Sequence, residues 1–194
     1  MFTGIIKKVS IISDLYSKNG SLFALIKKDK KWKLELGQSI AINGVCSTVQ
    51  KFDRNNFLVE WMSETITKTT VSNFKKGMLV NLETSLSLNM LLDGHIVQGH
   101  VDTVGTVIEI KSVRDSKIIK IKLPTQFLKF IADKGSVAID GISLTVVDTG
   151  QDWFTVSLVS YTIAKTNFRN TKKRNLVNIE VDILAKYLAK LMKK

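Results

Sequence analysis

The chain repeats itself. Residues 39–86 lie over residues 136–183 at a constant offset of 97 with no gap, and 20 of the 48 positions are identical. SIAINGVCSTV covers SVAIDGISLTV, FLVEWMSETITKTT covers FTVSLVSYTIAKTN, and NFKKGMLVNLE covers NTKKRNLVNIE. The start matches more loosely: FTGIIKKVSII from Phe2 lies over HVDTVGTVIEI from His100, at an offset of 98. So long a period means tandem domains, because solenoid repeats run about 20–50 residues. The 194 residues divide into halves 1–97 and 98–182, followed by a tail, 183–194.

Each half reads as β. Ser39–Val49 alternates around Asn43-Gly44, and its counterpart turns at Asp140-Gly141. Asn-Gly and Asp-Gly are the strongest short hairpin signals. Phe57–Met62, Phe154–Val159, Leu79–Leu82 and Leu176–Ile179 are rich in β-formers. Several short strands at 8–12-residue spacing predict a small closed barrel, which leaves no free edge. A short helix is expected over Pro124–Ile131, with a counterpart near Lys30–Leu36. In the tail, Leu184, Tyr187, Leu188, Leu191 and Met192 fall on one helical face. Three turns are marginal alone, so this stripe needs a partner: its own barrel or, more favourably, another subunit.

The composition excludes several classes. Hydrophobic residues make up 44% and charged residues 24%, as in ordinary globular proteins. No apolar run reaches the roughly 18 residues of a membrane span, and the start has no secretory-signal pattern, so a cytoplasmic protein is expected. One cysteine permits neither an internal disulfide nor a cysteine-based zinc cluster. The net charge of +12 comes from 29 cations, 25 of them Lys, against 17 acids. Base and phosphate readers favour Arg, and these lysines scatter through the chain, so a solvated surface is expected rather than nucleic-acid binding.

Chemistry-bearing residues cluster in two places. Both histidines lie in GHIVQGHVD, at His95 and His100. Five positions apart, they cannot share a metal ion on a strand face or a helix face, so no metal is expected. Cys46 has Ser143 as its repeat partner, and each stands two residues before a paired Thr, Thr48 and Thr145. With the pairs Ser63/Ser160 and Thr65/Thr162 they form a hydroxyl-rich set suited to a polyol or heterocycle. Asn81 and Glu83 pair with Asn178 and Glu180, and read equally well as structural or functional.

Taken together, these residues resemble the riboflavin synthase family, alpha-chain type. The resemblance covers the chain from Met1-Phe2-Thr3-Gly4-Ile5-Ile6 through Ala41-Ile42-Asn43-Gly44-Val45-Cys46 and Glu64-Thr65. It continues through Gly94–Asp102 and Lys134–Val146 to Val177–Asp182. It implies an all-β chain of two six-stranded Greek-key barrels, with a C-terminal helix that assembles a homotrimer. The implied reaction is the dismutation of two 6,7-dimethyl-8-ribityllumazines to riboflavin and 5-amino-6-ribitylaminouracil, with no cofactor. Lumazine synthase is a further partner the resemblance brings in. Duplication suits that chemistry, since two related barrels can present two identical molecules face to face.

Carried over, the resemblance places Gly4, Ile5, Ile6, Cys46, Ser47, Thr48 and Glu60, Trp61, Met62, Ser63, Glu64, Thr65 in the first lumazine pocket. The second takes Gly99, His100, Val101, Ser143, Leu144, Thr145 and Leu158, Val159, Ser160, Tyr161, Thr162, Ile163. Lys134 is expected to reach a neighbouring subunit's pocket. His100 is read as the proton shuttle and Ser143 with Thr145 as the group that handles the added water. Cys46 is read as a secondary nucleophile or ligand contact, and Asp182 as an orienting residue at the subunit contact. Ser47 and Ser160 depart from the family's usual Leu and Pro, and Ser47 predicts a more polar first pocket. The rival reading is a non-catalytic lumazine- or flavin-binding relative, against which GHVD at residues 99–102 argues.

Overall fold

The β-forming runs close into two barrels of six antiparallel strands in this computed structural model, which describes residues 1–192. The first holds β1 (Lys8–Lys18), β2 (Ser21–Lys27), β3 (Ser39–Ile42), β4 (Val45–Phe52), β5 (Asn56–Trp61) and β6 (Leu79–Thr84). Around the barrel the order is β1-β2-β5-β4-β3-β6. The second holds β7 (Thr103–Val113), β8 (Ser116–Lys122), β9 (Ser136–Ile139), β10 (Ile142–Thr149), β11 (Trp153–Leu158) and β12 (Leu176–Val181), in the same order. Alternation drives closure: the inward residues of every strand, among them Ile26, Ile40, Val59 and Leu82, are fully buried and form one core per barrel.

α1 (Ser63–Lys68) and α2 (Ser160–Lys165) follow β5 and β11, and each runs into a 3-10 turn, Thr70–Asn73 or Asn167–Asn170. Six residues are too few to show a helical period, so the sequence reading missed both. Pro124 caps a 3-10 helix over Thr125–Phe130, within the helix expected there. The counterpart expected near Lys30–Leu36 is absent: the Asp29 side chain binds the Lys31 N–H and the Gln38 side chain binds the Glu35 N–H, holding turns. α3 (Ile183–Leu191) begins at Asp182, whose carboxylate accepts from the Leu184 N–H at 2.9 Å. The last two positions of the helix expected over 183–194 lie outside the described residues.

Strand positions correct the repeat alignment. β1 and β2 match β7 and β8 at an offset of 95, whereas β3 onward matches at 97. The loop from β8 to β9 is two residues longer than that from β2 to β3. The opening residues therefore pair Phe2 with Val97, Gly4 with Gly99 and Ile5 with His100, rather than Phe2 with His100. The contacts obey that equivalence: Phe2 and Val97 exchange both backbone hydrogen bonds, at 2.7 and 3.2 Å.

The barrels meet around this pair as near mirror roles of one another. The turns at Gly44 and Gly141 sit back to back, and a Cβ on either would lie 2.6–2.7 Å from the other's backbone nitrogen. The Asn81 side chain donates to the Asp140 carbonyl and accepts from the Asn167 N–H. The Asn178 side chain donates to the Asn43 carbonyl and accepts from the Thr70 N–H. Only the Asn167 side chain breaks the symmetry, bridging Asn81 to the Asp140 carboxylate. Burial pushes that carboxyl up to about 6, against the opposing pull of hydrogen bonds from Asn178 and Asn167.

Candidate active sites at two exchanged arms

Two short arms precede β1 and β7, and each crosses to the other barrel. Residues 2–6 leave the first barrel, and the Gly4 carbonyl accepts from the Ser143 N–H on β10 at 2.8 Å. Residues 97–101 do the reverse, and the Gly99 carbonyl accepts from the Cys46 N–H on β4 at 2.8 Å. Ile6 then packs on the second barrel's core and Val101 on the first's. The pocket groupings expected from sequence are thus exchanged: Gly4, Ile5 and Ile6 belong beside Ser143, and Gly99, His100 and Val101 beside Cys46. Each barrel needs its sister's arm to complete its rim.

The arms are held by buried carboxylates. Glu83 accepts from the Thr3 N–H and hydroxyl, both at 2.7 Å, and from the Gly4 N–H at 3.0 Å. Glu180 accepts from the Gln98 and Gly99 N–H groups at 2.6 and 2.9 Å. Burial raises both carboxyls while these hydrogen bonds oppose it. Their role is to anchor the arms. Gly4 and Gly99 are required twice over: φ is +77° and +79°, and a Cβ would lie 2.8–2.9 Å from the nitrogen of Ser143 or Cys46.

Alternation sorts the predicted residues. Cys46 and Thr48 face one side of β4, and Ser143 and Thr145 the same side of β10. Ser47 and Leu144 face inward. The Ser47 hydroxyl donates to the Val45 carbonyl and accepts from the Trp61 indole N–H at 2.8 Å, so it adds no polarity to the pocket, contrary to expectation. Trp61 and Leu158 are likewise buried in their cores, so neither offers a side chain to a ligand. Glu60, Thr65, Thr162 and Ile163 are half-buried, whereas Met62, Ser63, Glu64, Val159, Ser160 and Tyr161 are exposed at the barrel ends. Glu64 is tied to Lys68 at 2.7 Å. Lys134 stands exposed on a turn at φ +63°.

The histidines are not equivalent. His95 Nδ1 lies 2.7 Å from Ser143 Oγ, and its ring is half-buried. Desolvation lowers its pKa below the usual histidine value, and the charge of Asp182 pulls the other way. Burial thus favours the neutral form of the His95 ring, which shares a hydrogen bond with the serine hydroxyl. His100, the residue favoured from sequence, is exposed and makes no hydrogen bond among the described residues. His95 was missed because its partner lies 48 residues away across the seam. The second site thus joins Gly4, His95, Ser143 and Thr145 with Asp182 close by. The first joins Gly99, Cys46 and Thr48.

A lumazine binding domain model matches this chain twice, over residues 3–85 and 98–182. Riboflavin synthase from Actinobacillus pleuropneumoniae is 40% identical over 195 residues, covering 100% of this chain and 91% of that protein. Riboflavin synthase from Bacillus subtilis is 35% identical, covering 100% and 91%. In fold, the chain is similar to the crystal structure of LumP complexed with riboflavin, with a TM-score of 0.87 and 24% identity over 93% of this chain and 99% of that one. Two matched domains and two full-length relatives above 30% identity place this chain in the riboflavin synthase family of tandem lumazine-binding domains.

Proposed function

We propose that the protein catalyses the dismutation of two 6,7-dimethyl-8-ribityllumazines to riboflavin and 5-amino-6-ribitylaminouracil. One lumazine passes a four-carbon unit to the other. The observation that carries this reading is the duplicated, arm-completed pocket, with a polar side chain, Cys46 or Ser143, at the same place in each. Two identical substrates call for two related sites, and holding them in register removes much of the entropic cost of a bimolecular step.

The two sites would divide the work. The lumazine 7-methyl group is acidic, so the protein's task is proton transfer and control of an added water rather than generation of a strong nucleophile. His95, its neutral form favoured by burial and its ring hydrogen-bonded to Ser143, is the base for that water in the second pocket. Thr145 stands on the same strand face to bind it. Cys46 and Thr48 hold the other lumazine, and Asp182 keeps a negative charge near His95 as it takes up a proton.

A homotrimer is part of the proposal. α3 is fastened to the body by Lys186, whose amine binds Asp102 at 2.7 Å. Leu184, Tyr187, Leu188 and Leu191 are 60–80% exposed, a stripe that another copy would cover. Lys134 would act in a neighbour's pocket. The proposed domain limits of 1–97, 98–182 and 183–194 rest on the sequence repeat, a cytoplasmic location on the single cysteine, and a lumazine synthase partner on the family resemblance.

The deciding experiment incubates pure protein with the lumazine and follows riboflavin fluorescence. Riboflavin and the uracil product should appear one to one, with two lumazines consumed. Binding without product would make this a non-catalytic lumazine binder.

A further inference from the structure

We infer that the groove between β1 and α2 is a phosphate subsite, and that it extends the second pocket to ligands bearing a ribityl 5′-phosphate. The inference rests on the proposed lumazine reading of that pocket.

The lysines that look scattered in sequence converge in the fold. A groove of about 440 Å³ between the barrels is lined by Lys7, Lys8, Lys165 and Arg169, with Asp29 as its only carboxylate. Lys8 already occupies Asp29 at 3.1 Å. Lys7, Lys165 and Arg169 form no ion pair among the described residues. A second hollow of about 380 Å³ shares Lys8 and Asp29, and adds Lys27, Lys28, Lys30 and Lys31. Eight cations and one carboxylate thus carry a net +7 of the chain's +12 on one ridge.

Duplication supplies an internal control. The equivalent groove in the other half is lined by Thr67, Lys68, Asp102, Thr103 and Pro124. By the strand and helix equivalences, Asp102 stands where the basic groove has Lys7, Thr103 where it has Lys8, and Ser72 where it has Arg169. Asp102 is moreover committed to Lys186 of α3 and to the Val181 N–H. Both grooves are open, but in one the position carries an acid that ties down the C-terminal helix, and in its twin it carries a lysine without an ion-pair partner among the described residues. A uniformly lysine-rich surface would charge both alike.

Position ties the basic groove to the second pocket. Ile6 and Tyr161 line the groove; Ile6 belongs to the arm whose Gly4 carbonyl meets Ser143, and Tyr161 is among the residues that the family resemblance assigns to the second pocket. Lys7 follows Gly4 by three residues, so its backbone lies within roughly 11 Å of the arm's contact with Ser143. A ring seated at Ser143 with a five-carbon polyol tail can therefore carry a terminal phosphate into the cationic groove. The lumazine and riboflavin are uncharged there. A phosphomonoester made from the product by a phosphoryl-transfer reaction would occupy the pocket more tightly than the product itself, and so restrain the enzyme.

The test compares riboflavin with riboflavin 5′-phosphate by flavin fluorescence titration, in the wild type and in the Lys165→Glu/Arg169→Glu double variant. Both residues are exposed and lie outside the proposed catalytic set. At low salt the phosphate should bind at least tenfold tighter to the wild type, and the advantage should shrink toward unity in 0.5 M salt. The double variant should bind both flavins equally while its lumazine turnover stays within about twofold of wild type. Equal binding by the wild type at low salt, or a preference that survives the double substitution, overturns the inference. If riboflavin itself fails to bind, the lumazine reading of the pocket falls instead. Binding of the phosphate alone, abolished in the double variant, would then sustain the groove by itself, and binding of neither flavin would overturn both.

Discussion

The two proposed arm-completed pockets share a frame, and the difference that matters most between them is one chemical pair. In each, a glycine carbonyl meets a strand N–H at 2.8 Å, and a buried glutamate holds the arm. In the second, a histidine touches the strand's hydroxyl; in the first, the cysteine has no such partner among the described residues. Duplication preserved the arm geometry, and on the proposed function it leaves proton transfer to the copy that holds the histidine. A reaction that uses two identical molecules in unlike roles is served by such a difference between its sites.

The largest effect should come from the shared frame. Gly4→Ala and Gly99→Ala each force a Cβ against backbone in a left-handed conformation. Each should lower turnover by about a hundredfold, because dismutation needs both pockets. If only one substitution mattered, the frame would not be shared in function. Thermal melting should fall in both variants.

The next effect tests the difference. His95→Ala and Ser143→Ala should each cut turnover at least tenfold, and the double variant little further, as expected of one coupled unit. His100→Ala should cost less than about threefold. The wild-type rate should fall on the acid side only below the ordinary histidine range, since burial lowers the His95 pKa, and His95→Ala should lose that acid limb. A large loss from His100→Ala with none from His95→Ala would reverse the assignment.

A smaller change sharpens the comparison from the other side. Cys46→Ser copies the second pocket's strand residue into the first, and should stay within about threefold of wild type because binding, not nucleophilic attack, is asked of it. Cys46→Ala should behave alike. A hundredfold loss would make the cysteine a covalent participant.

The smallest effect concerns the seam. The Asp140 carboxyl titrates near 6 when folded and near 3.8 unfolded, so the native state holds the extra proton between those values. Its contribution to stability is fully present below pH 3.8 and is lost as pH rises through 6. Glu83 and Glu180, raised by burial, act in the same direction. Asp140→Asn should therefore flatten, without abolishing, the fall in melting temperature between pH 4 and 6.5. An unchanged slope would mean that Asp140 does not titrate there.

Much of this was legible from residues alone. The 97-residue repeat, the Asn43-Gly44 and Asp140-Gly141 hairpins and the Cys46/Ser143 equivalence survive in the fold. The arm exchange does not appear in sequence, because Thr3-Gly4-Ile5-Ile6 and Gln98-Gly99-His100-Val101 share only a glycine. A two-residue loop difference also shifts their register from 97 to 95. Ser47 could have been placed inside from its parity with Val45 and Val49. His95 could not have been chosen over His100, since only the crossing of residues 94–99 over the seam sets it against Ser143.

The central claim is that two pockets of one frame bind two lumazines and that one pocket moves the protons. A lumazine titration of wild type and His95→Ala, read alongside turnover, tests it most directly. The account predicts two lumazines bound per chain in both proteins, with turnover in the variant down at least tenfold. One lumazine per chain in the wild type, or full turnover without His95, would contradict it.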